Sequence, residues 1–158
     1  MLIVTKNAHE TAALAKKIAS GLRGSETLAL IGELGSGKTT FVKALARALG
    51  VRDTVRSPSF VLMVPYRVHR RTKKLTRRVI PNKPRASRGI SWLVHVDAYR
   101  LKNTRQLKNI GLEEYLDQPD TVTVIEWADR VRGLLPRRSK IFTFRHGRSE
   151  KERIINID

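Results

Sequence analysis

Positions 32–39 read Gly32-Glu33-Leu34-Gly35-Ser36-Gly37-Lys38-Thr39, a complete GxxxxGK[ST] spacing. Glycines at these places let the backbone turn tightly enough to aim successive N–H groups at phosphate oxygens, and a helix opening at Gly37 adds its positive dipole end. Lys38 then reaches the β and γ phosphates, and the Thr39 hydroxyl is placed to hold Mg²⁺. The apolar run 27–31 in front and the run 41–45 behind supply the strand and helix that such a loop needs. The pattern predicts a nucleoside triphosphate site, with Glu33, Leu34, Gly35, Ser36, Gly37, Lys38, Thr39 and Thr40 around the nucleotide.

Ligands of an open α/β sheet sit beyond the carboxyl ends of its strands, so an acid that ends a buried apolar run is a candidate. Asp97 ends the run 92–96 and Glu126 ends the run 121–125. Either can hold Mg²⁺ directly or through water; the competing use of each is to cap the next helix or to pair with a surface arginine. His95 reads chiefly as a hydrogen-bonded structural residue. Ser57-Pro58-Ser59-Phe60 stands where proteins with this loop often carry a segment that senses the γ phosphate, and it reads equally well as a turn followed by strand entry. Trp127, directly after Glu126, packs against the site or belongs to the core.

These residues need a scaffold. Asn7, three residues before Glu10, makes a capping-box start for a helix that carries Leu14, Ala15, Ile18, Ala19 and Leu22 on one face and ends near Gly21 or Gly24. A second helix buries Phe41, Val42, Leu45 and Leu49 and stops at Gly50. Together with a short first strand this gives a βαβα beginning. Residues 60–68 and 92–96 are rich in β-branched and aromatic types and are expected to pair as a hairpin. A helical region is expected over 104–116, a doubly buried parallel strand over 121–125, and two closing strands near 141–144 and 154–157. The expected fold is α/β, a three-layer fold like those of P-loop NTPases, with a mainly parallel sheet, added antiparallel strands and a basic hairpin or loop insertion.

At 158 residues and 41% hydrophobic content the chain suits one core, so 1–158 is expected to form a single domain. It has no cysteine, which excludes disulfides and thiolate metal sites and suits a reducing cytoplasm. The apolar start of the chain is too short for a signal peptide and no stretch has the length of a membrane span, so a membrane role is not expected. The formal charge of +18 attracts polyanions. Ten lysines and arginines, and no acid, lie between positions 67 and 88, which makes 67–91 a basic insertion between two strands, expected as a protruding hairpin or mobile loop. Between Tyr66 and Trp92 it offers no aromatic side chain other than His69, so attraction to a phosphate backbone suits it better than base stacking.

The order of phosphate loop, Ser57-Pro58-Ser59-Phe60, His95-Val96-Asp97-Ala98-Tyr99-Arg100-Leu101, Gly111-Leu112-Glu113-Glu114-Tyr115 and Ile125-Glu126-Trp127 resembles the TsaE family, also called YjeE, from about residue 11 to 153. The resemblance implies a small Mg²⁺-dependent ATPase needed to make N6-threonylcarbamoyladenosine beside the tRNA anticodon. It implies docking on a complex of TsaD and TsaB, where ATP hydrolysis lets the transferase turn over repeatedly. Carried onto this chain, Lys38 binds phosphate, Thr39 and Glu126 hold Mg²⁺, and Asp97 completes the metal shell or orients the attacking water. Ser59 stands where the family usually has threonine, which keeps the hydroxyl and loses a constraint on the loop. Thr11 matches a position near the base or sugar. The clear departure is 67–91, where relatives have a shorter connection; its charges suggest contact with tRNA phosphates on the assembled complex, and it reads equally well as a solvated loop that raises solubility or binds RNA nonspecifically; no DNA partner is expected. The rival readings are a small-molecule kinase and a nucleotide-switched module that binds nucleic acid.

Overall fold

The computed structural model describes residues 1–58, 62–69, 89–101 and 111–158. In chain order these residues form β1 (Leu2–Thr5), α1 (Ala8–Gly21), β2 (Thr27–Gly32), α2 (Lys38–Leu49), β3 (Met63–Arg67), β4 (Trp92–Asp97), β5 (Thr121–Glu126), β6 (Lys140–His146) and β7 (Arg153–Ile157). Short 3₁₀ helices over Leu112–Glu114 and Ala128–Leu134 flank β5. Ser59, positions 70–88 of the basic insertion and the first part of the expected helical region lie outside the described residues.

One seven-stranded sheet has the order β1-β7-β6-β2-β5-β4-β3. Strands β4, β5, β2 and β6 run parallel in the middle, while β3 pairs antiparallel with β4, and β7 pairs antiparallel with both β6 and β1. The expected hairpin between the segments on either side of the basic insertion is thus β3 with β4. The βαβα beginning holds in sequence only, because β1 and β2 are separated in the sheet by β7 and β6.

Alternation along each strand sorts side chains between two cores. Leu28 and Leu30 of β2, Leu93 of β4, Val122 and Val124 of β5, and Phe142 and Phe144 of β6 pack with α1 and α2. Ala29, Val94, Val96 and Ile125 face the other way, toward Leu112, Ala128 and Val131. Phe41 of α2 sets its ring against Phe142 and Phe144, with centroids 5.4 and 5.6 Å away, a tilted and an edge-on contact that fixes the start of α2 over the sheet.

Local signals explain the ends of the elements. Asn7 Oδ1 accepts from the Glu10 N–H at 2.9 Å, the first half of the expected capping box; the Glu10 carboxylate returns the bond to the N–H of Lys6 rather than to Asn7 itself. Helix α2 ends on Gly50 in the left-handed region, at φ 106°. The expected helix over 104–116 does not run through to its end. Gly111 turns left-handed at φ 76°, and only one 3₁₀ turn follows it.

Candidate nucleotide site

The carboxyl ends of β2, β4 and β5 meet at the opening of α2. Asp97 and Glu126 are register partners on β4 and β5, so their side chains leave the sheet side by side. Counting back in twos, Asp97, His95 and Leu93 share a face, as do Glu126, Val124 and Val122. That face is the one covered by α2, so both acids point toward the helix that begins with Lys38 and Thr39.

Thr39 Oγ1 donates to Glu126 Oε2 at 2.8 Å, and His95 Nε2 lies 2.8 Å from Glu126 Oε1. Glu126 and His95 are buried. A carboxylate accepts, so the arrangement assigns the proton to Nε2 of His95. Nδ1 of the same ring is buried without a partner among the described residues. Asp97 is held separately: Ser57 Oγ donates to its Oδ2 at 2.6 Å and the Tyr99 N–H to its Oδ1 at 2.9 Å.

The loop between β2 and α2 is shaped by its glycines. Gly32 sits at φ +147°, and a Cβ there would come within 2.3 Å of the Phe144 carbonyl oxygen, so no other residue fits between loop and β6. Gly37, at φ +98°, ends the loop and opens the helix. Among the described residues the N–H groups of Gly35, Gly37, Lys38, Thr39 and Thr40 donate to no carbonyl outside the regular elements, which is the donor set an anion at a helix start requires. From behind, Arg153 Nη2 donates to Gly35 O at 3.0 Å and His146 Nε2 reaches Leu34 O at 3.2 Å, so the last two strands brace the loop.

Lys38 is buried, with Nζ donating to the carbonyls of Gly32 and Glu33 at 2.7 and 2.8 Å. The ammonium also lies 4.0 Å from the centre of the Trp127 ring. Burial holds its pKa below the ordinary 10.5, and the nearby carboxylates of Glu126, Asp97 and Asp129 pull it part of the way back. Trp127 adopts a left-handed backbone, φ 58°, costly for a large side chain and tolerated where the surroundings hold it. Its ring packs against Tyr99 in a tilted contact, with centroids 4.9 Å apart.

These groups enclose a cleft of about 350 Å³. Leu34, Gly35, Ser36, Gly37, Lys38, Thr39 and Thr40 line it with Asp97 and Glu126, as the sequence led us to expect, and Ser57, Tyr99, Arg100 and Trp127 complete it. Glu33 gives the site its carbonyl, while the residue itself borders a neighbouring depression with Thr143 and His146. Thr11 is also set apart. Its hydroxyl bonds Thr5 at 2.9 Å, and it lines an adjoining cleft of about 540 Å³ that shares Gly35, Gly37 and Thr40 with the first.

Two residues carry more than sequence reasoning gave them. Ser57, passed over in favour of Ser59, grips Asp97. His95, read as structural, is the partner of Glu126; its position two residues before Asp97, on the same face of a strand, is the signal that could have found it. The oxygen donors Thr39, Glu126 and Asp97 suit a hard cation such as Mg²⁺. Among the described residues no group of three or more His, Cys, Asp and Glu could hold a metal unaided, which fits a cation that arrives with phosphate oxygens as its other ligands.

Three comparisons bear on this arrangement. The family model described as threonylcarbamoyl adenosine biosynthesis protein TsaE matches residues 5–155. The tRNA threonylcarbamoyladenosine biosynthesis protein TsaE of Bacillus subtilis is 33% identical over 149 residues, covering 94% of this chain and 80% of that protein. Its counterpart in Streptomyces coelicolor is 38% identical over 117 residues, covering 73% and 66%. The crystal structure of Bacillus subtilis YdiB superposes with a TM-score of 0.70 at 28% identity, over 99% of this chain and 83% of that one. A match running from Thr5, at the end of β1, to Ile155 within β7 takes in β2 to β6 and the whole of the loop, acids and braces described above, and the chain therefore belongs to the TsaE family of threonylcarbamoyl adenosine biosynthesis proteins.

Proposed function

We propose that this chain, acting as a single domain over 1–158 in the cytoplasm, is the ATP-hydrolysing component of the machinery that makes tRNA N6-threonylcarbamoyladenosine, and that it works on a TsaD–TsaB complex to allow repeated turnover. The observation that carries the reading is the chain of contacts from Thr39 to Glu126 to His95 at the mouth of the phosphate loop. It presents a hydroxyl and a carboxylate together, already oriented, beside a buried lysine. The TsaE relatives supply the pathway.

On this reading ATP enters with its phosphates against the N–H groups of residues 35–40, and its adenosine lies toward Thr11. Lys38 exchanges the carbonyls of Gly32 and Glu33 for β and γ phosphate oxygens, leaving the face of Trp127. Thr39, Glu126 and Asp97 would hold Mg²⁺, which when bound would neutralise charge on the phosphates. Asp97, fixed by Ser57 and Tyr99, orients the attacking water. Phosphoryl transfer to water needs positioning and charge neutralisation more than a strong base, and that is what these residues offer. Arg100, on the cleft wall, and partner chains are the sources from which a further cation can come, so hydrolysis is expected to be slow alone and faster in complex. Ser59 and the basic segment 67–88 are assigned, respectively, to sensing the γ phosphate and to contacting tRNA phosphates.

The test is threonylcarbamoylation of excess tRNA by a matching TsaD–TsaB pair supplied with the threonylcarbamoyl adenylate donor and ATP. More than one product per transferase only when this protein is present is the expected result. Equal product with and without it, where binding to the pair has been demonstrated, rejects the role.

A further inference from the structure

Helix α2 carries the chain away from the phosphate loop, and its 12 residues span about 18 Å. At its far end is a second cleft, of about 860 Å³, lined by Lys16 of α1, Arg47 of α2, Arg52 and His69, with no acid among its lining residues. All four side chains are exposed. Among the described residues none of Lys16, Arg47 and Arg52 forms an ion pair; the single pair found there joins His95 and Glu126. Arg47 lies in the last turn of α2, where it offsets the helix dipole. Lys16 and Arg52 have no such duty. Lys43, one turn before Arg47, and Asp53 belong to the adjoining wall.

The cleft is also where the basic insertion is rooted. The His69 N–H donates to Gly50 O at 3.1 Å, Val51 bridges Val68, and the Val68 N–H donates to Ser91 O at 2.9 Å. Gly50 makes the junction possible, since a Cβ on it would meet the His69 carbonyl oxygen at 2.5 Å. The stretch with ten positive charges and no acid therefore departs from a fixed point beside Lys16, Arg47 and Arg52.

We infer that this cleft is a binding site for the phosphate backbone of RNA, separate from the nucleotide site. Concave, multiply cationic and free of opposing acid, it matches a polyanion that is itself convex and regularly charged. A membrane surface fits less well. Peripheral membrane binding takes apolar anchors beside the cations, and among the described residues the exposed large hydrophobic ones, Met1, Leu2, Val4, Leu34 and Tyr99, are all elsewhere. Among the described residues His69 is the one aromatic side chain that lines the cleft, too little for a stacking platform, so recognition is of backbone and independent of sequence.

The test uses the full chain, a fluorescent tRNA transcript and a salt titration, comparing wild type with Lys16→Gln/Arg47→Gln/Arg52→Gln. Losing three phosphate contacts should weaken binding and make the slope of log K against log salt shallower by about two, with an unchanged ATPase rate and a thermal midpoint lowered only by the loss of the Arg47 charge from the end of α2. A control carrying the same charge change, Arg132→Gln/Arg137→Gln/Arg138→Gln, on the 3₁₀ helix of the opposite face and the turn after it, should keep the wild-type slope. The inference is overturned if the cleft variant keeps the wild-type slope, if the control loses as much, or if the cleft variant loses binding to phosphatidylserine vesicles while RNA binding is unchanged.

Discussion

The two ends of α2 are built on opposite plans. At its first turn, groups are buried and interlocked: Lys38 between two carbonyls and an indole ring, Thr39 on Glu126, Glu126 on His95. At its last turn, Arg47 and its neighbours stand in water, and what they share is only the sign of their charge. The first end has geometry that one ligand fits, and the second has a field that any polyanion feels. Loss at the first should therefore be steep and insensitive to salt, and loss at the second graded and salt-dependent.

Disabling the buried end gives the strongest break in that contrast. Glu126→Gln keeps the volume and removes the charge, and hydrolysis should fall by about a hundred-fold or more, while the salt slope for RNA stays as in wild type. A steady-state ATPase assay beside the RNA titration checks both; a changed slope would mean the two ends are coupled. A smaller effect is expected one contact further back. His95→Ala leaves a buried carboxylate oxygen without its donor, at a cost of about 1–3 kcal/mol in stability, and should lower kcat about ten-fold with KM little changed. His95→Gln, which can still donate, should recover part of the kcat. Equal kcat in both variants would show that His95 only fills space.

The smallest signal sharpens the contrast from the side of charge. Lys38 in the nucleotide-free protein holds its proton less tightly than an ordinary lysine at 10.5, because burial withdraws water from it. Phosphate oxygens would raise its affinity for the proton again, so ATP binding in the alkaline range below 10.5 should take up protons. Without nucleotide the sign reverses for folding: the unfolded chain holds a proton that the folded one has released, so stability from this group grows as pH rises through the same window. Calorimetric titration in two buffers of different ionisation enthalpy measures the uptake, and identical heats in both would refute it.

How much of this was legible beforehand followed the range of the interactions. The phosphate loop, the capped start of α1 and the acids that end β4 and β5 were readable because each is a local pattern of residue types. The pairing of β1 with β7 was not, since nothing near Leu2 or Arg153 in the chain names a partner so far along it. The end of the helical region was misjudged for a local reason of another kind: Gly111 supplies the left-handed turn that interrupts a pattern otherwise helical in spacing. His95 was undervalued because its importance comes from a register across strands that one strand's sequence cannot display, and Ser57 because its partner Asp97 stands 40 residues further along the chain. Ser59 lies outside the described residues.

The same distant pairing has a consequence for how the protein is made. β1 leaves the ribosome well before β7, yet among the described residues β1 finds its sheet neighbour only in β7. Contacts so remote in sequence form late. Thr5, which anchors Thr11, and Arg153, which braces Gly35, both belong to this pair of strands. A nascent chain can therefore complete its phosphate loop well before the wall beside it, and the whole nucleotide site waits on the synthesis of β7.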